Sequence, residues 1–360
     1  MQGYSWRLKM GMLEDDDLDR LRIDRMIFHV IGPDDTDLTL MDEVQIGGFE
    51  QFFLERIRET NIGNRFEFIG QNVGVRPSLI AIHDNTDKFV AISKEMASSF
   101  HSQHSNVSAK KGAFIVAKLS GLMQPAFALI KFDDLRVLRF LHETIKGAVT
   151  ATVSEVENTF QEDKKAMQKS ALIVLNDEGG DLAVYDRTNR RDVTGYFRAF
   201  LGAKRLYDGT QATERLSQAI GEAYKRHMHE MPQDVKSNWR TKLYDTTRNL
   251  NTLDTEDMSN FMVGVFGDFA NNDGFKKTIA SELQKYKISG EAIEIAPAVI
   301  SKPSVRQVKT REGIQVRIPE GNDGLVTVEE YENGRATITI QTGRITSNEL
   351  VDEATLRRIG

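Results

Sequence analysis

The sequence predicts an α+β protein in two domains, each mixing antiparallel strands with helices, the second closing on a C-terminal β-hairpin. Three observations carry this reading. At 360 residues the chain is too long for one ordinary core. Short β-branched runs bounded by turn residues occur beside stretches with helical spacing of apolar residues. Pairs of apolar runs are joined by brief Gly/Pro connections, the signature of adjacent antiparallel strands.

An acidic run, Glu14 to Asp17 with Asp19, lies in an N-terminal extension, residues 1–19. "LRIDRMIFHVIG" (21–32) reads as a strand, Pro33-Asp34-Asp35 as a turn, and "DLTLMD" (37–42) as its hairpin partner. Phe49, Phe52, Phe53 and Ile57 recur at helical spacing within 47–60, as do Phe89, Ile92, Met96 and Phe100 within 87–104. "GAFIVAKLSG" (112–121) and "AFALIKFDD" (126–134) are expected to pair at the centre of a sheet. The polar stretch "ENTFQEDKKAMQKS" (157–170) marks the expected boundary between an N-terminal domain, 20–156, and a C-terminal domain, 165–360.

The second domain opens with strands over 171–177 and 181–187, and then comes a short helix. In that helix Asp192 is the expected N-cap and Gly202 the left-handed C-terminal residue. Val193, Tyr196, Phe197, Phe200 and Leu201 make a one-sided apolar stripe, so its aromatics belong to the core. Helices follow over 213–231, 257–270 and 273–288. Strands then return, with Asn333-Gly334 as a strong hairpin signal.

Composition narrows the function. At 40% hydrophobic and 28% charged the chain is globular rather than disordered. No apolar run reaches the ~18–20 residues that span a bilayer, and no membrane partner is expected. The N-terminus lacks the apolar stretch of a secretory signal, so a cytoplasmic location is expected. The absence of cysteine excludes disulfides and thiolate metal sites. No phosphate-binding, dinucleotide, nucleophile-elbow or metalloprotease motif is present, and no carboxylate–lysine pattern marks a metal nuclease. His101 and His104 are one helical turn apart but lack a third ligand nearby, while His227 and His229 diverge. The expectation is a protein without catalytic residues, metal or cofactor.

Charge is segregated. The net charge is −6, yet residues 187–205 hold Arg187, Arg190, Arg191, Arg198, Lys204 and Arg205 against Asp192 alone. Residues 302–317 hold Lys302, Arg306, Lys309, Arg311 and Arg317 against Glu312 alone. The first group crowds a turn and the helix after it; the second reads as an extended basic arm entering a hairpin. Either could track a phosphate backbone, since the planar arginine fork meets two phosphate oxygens. Either could equally be a solvated charged edge or linker.

The order of landmarks resembles the bacterial nucleoid-associated protein family of the YejK/NdpA type. The stretches that carry the likeness are "RIDRMIFHVIGPDDTDLTLMDE", "GAFIVAKLSGLMQPAFALIKFDD" and, most specifically, "MQKSALIVLNDEGGDLAVYDRTNRRDVTGYFRAFLGAKR". In the last, Lys169 to Ala171, Asp186-Arg187 and Tyr196 to Gly202 stand in the family's order. The likeness runs over residues 20–345, is weak beyond 235, and leaves the role of residues 1–19 open. It implies a protein at the bacterial nucleoid that associates with DNA and has no established catalytic site. Relatives also occur near mobile elements and phage-defence genes.

These readings converge on largely sequence-independent binding of double-stranded DNA through backbone contacts by a homodimer. The candidate contacts are Arg187, Arg190, Arg191, Arg198, Lys204, Arg205, Lys302, Arg306, Lys309 and Arg311. Alternatively, Asp186 and Arg187 form a structural ion pair at the strand end. Two other functions stay open: a component of an anti-phage defence system that senses or binds a protein or DNA partner, and a divergent metal-dependent nuclease.

Overall fold

The computed structural model describes residues 11–103, 110–133, 137–145, 148–156, 160, 166–189, 192–319, 321–331 and 334–350. The expected α+β class is what forms. In the first part α1 (Asp15–Arg20) leads to β1 (Arg22–Ile31), followed by α2 (Glu50–Thr60), β2 (Asn64–Phe68), α3 (Arg76–Asp84) and α4 (Phe89–Gln103). Next come β3 (Gly112–Ser120), β4 (Ala126–Asp133), β5 (Val137–Ile145) and β6 (Ala148–Val156), then β7 (Met167–Val174), β8 (Asp181–Asp186), α5 (Gly195–Leu201) and β9 (Ala203–Arg205). Seven of these strands form one sheet in the order β1-β3-β4-β7-β8-β2-β9.

That sheet holds strands from both sides of the boundary expected within 157–170. β4 pairs antiparallel with β7, from Ala126 opposite Val174 to Lys131 opposite Lys169. Both strands are buried along their whole length, so they are the middle of one core and not the edges of two. The polar stretch reads as a linker by composition, but its last residues, 167–170, already belong to β7, and most of the rest lies outside the described residues. The expected pairing of 21–32 with 37–42 also gives way. β1 pairs with β3, and "DLTLMD" keeps only the bridge between Val30 and Thr39.

Helices cover both faces of the sheet. Phe53, Leu54 and Ile57 of α2 pack on one face with Ile115, Ala128 and Leu172, whereas Phe49 is 73% exposed and outside the stripe. On the other face α3, α4 and α5 bury Leu79, Phe100 and Phe197. The predicted stripe of α5 is present, and its rings gather on α4. Phe100 lies 4.7 Å from Phe200 and 5.9 Å from Phe197, ring centre to ring centre. Gly202 ends α5 with φ +65°, as expected, and it backs onto Gly74, also at φ +65°. A Cβ on either would meet the other's backbone, so only glycine fits at this crossing.

Four further helices, α6 (Gly209–His227), α7 (Gln233–Arg248), α8 (Ser259–Phe266) and α9 (Asp273–Lys285), enclose a separate core. It runs from Ala212 to Ile300 and includes Trp239 and Phe266. β10 (Thr252–Asp254) and β11 (Ala292–Glu294) pair within this unit. Two antiparallel hairpins follow: β12 (Val305–Lys309) with β13 (Gln315–Pro319), and β14 (Val326–Glu330) with β15 (Ala336–Ile340). The second is the hairpin signalled by Asn333-Gly334. Asn333 lies outside the described residues, and Gly334 takes φ +78°.

The two large units meet at a polar joint. Arg65 donates its backbone N–H to Glu291 at 2.6 Å, Arg205 approaches the same carboxylate at 3.4 Å, and Asn64 accepts from the Ala292 N–H at 3.2 Å. Residues 11–13 strap this joint. Met12 donates to the Asn61 carbonyl, the Asn61 amide bonds both the N–H and C=O of Leu13, and Gln284 of α9 donates to the Met12 carbonyl.

Candidate nucleic-acid interface

The cationic turn after β8 is built around two buried carboxylates. Asp186 accepts from Lys169 Nζ at 2.7 Å, from the N–H and hydroxyl of Thr188 at 2.9 and 2.6 Å, and from the Thr194 N–H at 3.0 Å. Burial pushes this carboxyl up, but the bonds from Lys169, Thr188 and Thr194 outweigh it and hold the group below the usual carboxylate range. Burial, with the charges of Asp186 and Asp133, pushes the Tyr196 phenol well up.

The helix start therefore differs from the expectation. Thr194, not Asp192, is the N-cap residue, and the strand-end Asp186 takes its N–H. Asp192 instead accepts from Val193 and from Arg198. Asp186 and Arg187 do not pair with each other either. β-strand alternation sends neighbours to opposite sides, and Arg187 reaches Asp133 at 3.1 Å. Asp133 is also met by Lys131 at 3.4 Å and by Gln168 at 3.1 Å.

The other cations of the first segment are engaged as well. Arg198 lies 3.3 Å from Asp192, Lys204 3.0 Å from Glu67, and Arg205 3.4 Å from Glu291 with its guanidinium over the Phe66 ring. Arg190 and Arg191 fall outside the described residues. Every described cation between 187 and 205 thus meets a carboxylate.

The second basic segment is not the extended arm expected from its composition. Residues 305–309 are β12 itself, because Val305 and Val308 supply enough β-branched character to pair with β13. Its strand register sorts the side chains. Arg306, Val308, Val316 and Ile318 share the half-buried or buried side, and Gln307, Lys309, Gln315 and Arg317 share the exposed one. Gln307 donates to Gln315 across that exposed face at 3.0 Å. Arg311 is exposed at the turn, and Lys302 is exposed just before the hairpin. Lys309, Arg311 and Arg317 have no carboxylate partner among the described residues. The ten candidates therefore do not form one site. Among the described residues Arg187, Arg198, Lys204 and Arg205 make a neutralised corner on the sheet, and Lys309 and Arg311, with Arg317, make a cationic surface on the hairpin.

The family model for the nucleoid-associated protein YejK matches residues 35–348. The chain belongs to that family. Membership makes it a nucleoid-associated protein with its place at the bacterial nucleoid. The YejK-family match takes in β3, β4, β7, β8 and α5 but begins after β1, so the strap and α1 stand outside it. A search of curated proteins returns no match. No helix among the described residues is long and apolar enough to cross a membrane.

Sequence reasoning missed Lys131, Asp133 and Gln168, which help build the corner, and took Lys169 only as part of a motif. Their signal was a charged residue inside an otherwise apolar strand. A lysine within "ALIKFDD" or "MQKSALIV" lies in a fully buried strand only if a carboxylate waits beside it.

Proposed function

We propose that the protein binds double-stranded DNA largely without regard to sequence, through the cationic face of the β12–β13 hairpin. One observation carries this reading: Lys309, Arg311 and Arg317 are exposed together without carboxylate partners among the described residues, whereas Arg187, Arg198, Lys204 and Arg205 are each matched. A cation already held by a carboxylate releases fewer counterions on meeting a phosphate, so the hairpin supplies most of the salt-dependent affinity. Gln307 and Gln315 add neutral donors on the same face for phosphate and sugar oxygens. Lys302 is exposed just before this surface in the chain, while Arg306 lies on the hairpin's half-buried side.

Salt-titrated binding to a short duplex tests the reading. The slope of log K against log[salt] is expected to fall by about 2–3 when Lys309, Arg311 and Arg317 are all replaced by serine, at about 0.9 per phosphate contact. An unchanged slope, or no binding at low salt, would remove the hairpin from the interface.

A further inference from the structure

β5 and β6 leave the sheet between two inner strands, β4 and β7, and pair only with each other among the described strands. Their register runs without a break from Val137 opposite Val156 to Ile145 opposite Ala148. Nine residues per strand make a ribbon about 30 Å long. A lone two-stranded ribbon is marginal in water, and each outer edge leaves backbone N–H and C=O groups to be satisfied.

The ribbon's composition says what kind of surface covers it. Between 137 and 156 Arg139 and Lys146 are balanced by Glu143 and Glu155, so the segment has no pull on phosphate. Ten of its twenty residues are aliphatic or aromatic, more than a solvated arm needs. Such a composition suits a protein surface, and the order of residues along β5 points to a particular one.

β5 is its own complement. Antiparallel pairing with β5 of a second copy, centred on Leu141, sets Arg139 opposite Glu143, Val137 opposite Ile145 and Phe140 opposite His142. Each of these pairs occurs twice, and Leu141 meets itself. Directly opposed residues on paired strands share a face, so opposite charges there attract and like charges repel. β6 has no such match, since the same operation about Thr152 sets its one charge, Glu155, against Val149. We propose that a second copy of this chain docks edge to edge along β5, giving a four-stranded sheet across a twofold axis. Nine paired residues form about nine backbone hydrogen bonds, within the range of a stable protein interface. The pairing is independent of the hairpin's DNA contact, and it gives one particle two cationic hairpins with which to hold two duplexes.

Analytical ultracentrifugation of the full chain tests this, with circular dichroism on every variant to establish folding. The unmodified protein is expected to sediment as a dimer at micromolar concentration. Arg139→Glu and Glu143→Arg each set like charges opposite one another at two places, weakening association roughly tenfold or more. Combining the two substitutions restores opposite charges and is expected to restore the dimer. A monomeric unmodified protein, single variants that associate undiminished, or a double variant as weak as the singles overturns the proposal. Single-site DNA affinity is expected to stay unchanged in the folded monomeric variants.

Discussion

Lys169 and Asp186 stand directly opposite each other on β7 and β8, with Nζ 2.7 Å from Oδ2 and both side chains sealed from solvent. On its other side Lys169 stands opposite Lys131 of β4, which is also fully buried. A row of lysine, lysine and aspartate thus crosses three strands at the end where the chain leaves the sheet for α5. Such a row is tolerable only because Asp186 and Asp133 each sit among two or more donors. The carboxylates fix the turn, and the turn's cations are partly used up in doing so.

Replacing Asp186 by alanine leaves a buried ammonium unpaired and strips the acceptor from the Thr188 and Thr194 N–H groups. The expected loss is about 3–5 kcal/mol in urea unfolding at pH 7. Asp186→Asn keeps a carbonyl acceptor and is expected to lose less. The folded-state pKa is lowered, so the carboxylate's stabilisation is complete above the unfolded value near 4 and disappears as pH falls through the lowered one. A loss under 1 kcal/mol for the alanine variant would mean the row is not holding the turn.

His29 adds a second acid-sensitive element in a different window. It is fully buried, with Nδ1 accepting from the Met41 N–H at 3.1 Å and Nε2 3.2 Å from the Ser93 hydroxyl. Burial, aided by Lys94, pushes its pKa down to about 4. The unfolded chain therefore takes up a proton between about pH 6.5 and 4 that the folded chain refuses, and stability falls as pH drops through that range. The effect is at most about 3 kcal/mol. His29→Gln is expected to flatten the stability–pH curve between pH 7 and 5 while leaving the steeper loss below pH 4.

Legibility followed the physics of each element. Helices with a one-sided stripe, such as the α4 face of Phe89, Ile92, Met96 and Phe100, could be read because the period is local. The central pair β3–β4 could be read because few residues separate its strands. The domain boundary could not. Whether β7 joins β4 is a long-range question, and a polar connection looks the same inside a sheet as between domains. The basic clusters were visible as charge, but their division into a neutralised corner and an open hairpin depends on partners far away in sequence. Arg187 meets Asp133, and Arg205 meets Glu291, with nothing local to signal either.

The strap at residues 11–13 gives a prediction that turns on one missing atom. A Cβ on Gly11 would land on the carbonyl and side-chain amide of Asn61, the residue that clasps Leu13. Gly11 also offers its carbonyl to Arg65, whose guanidinium burial brings down to about 10. Gly11→Ala is expected to cost about 1–3 kcal/mol and to speed amide exchange in residues 11–20 and around Gln284. Normal exchange near Gln284 with a loosened N-terminus would show that the strap does not brace the joint.

Arg187 decides between the two fates of the cationic turn. Its 3.1 Å contact with the buried Asp133 makes it a partner of the core, although 29% of its side chain is exposed. Arg187→Ser leaves Asp133 with Lys131 and Gln168, so the expected cost is about 1–2 kcal/mol, well short of losing a sole partner. Thermal unfolding is expected to shift down while the DNA salt slope stays within about 0.3 of the unmodified protein, because the hairpin carries the phosphate contacts. A slope change near 0.9 with unaltered stability would move Arg187 from the core to the DNA.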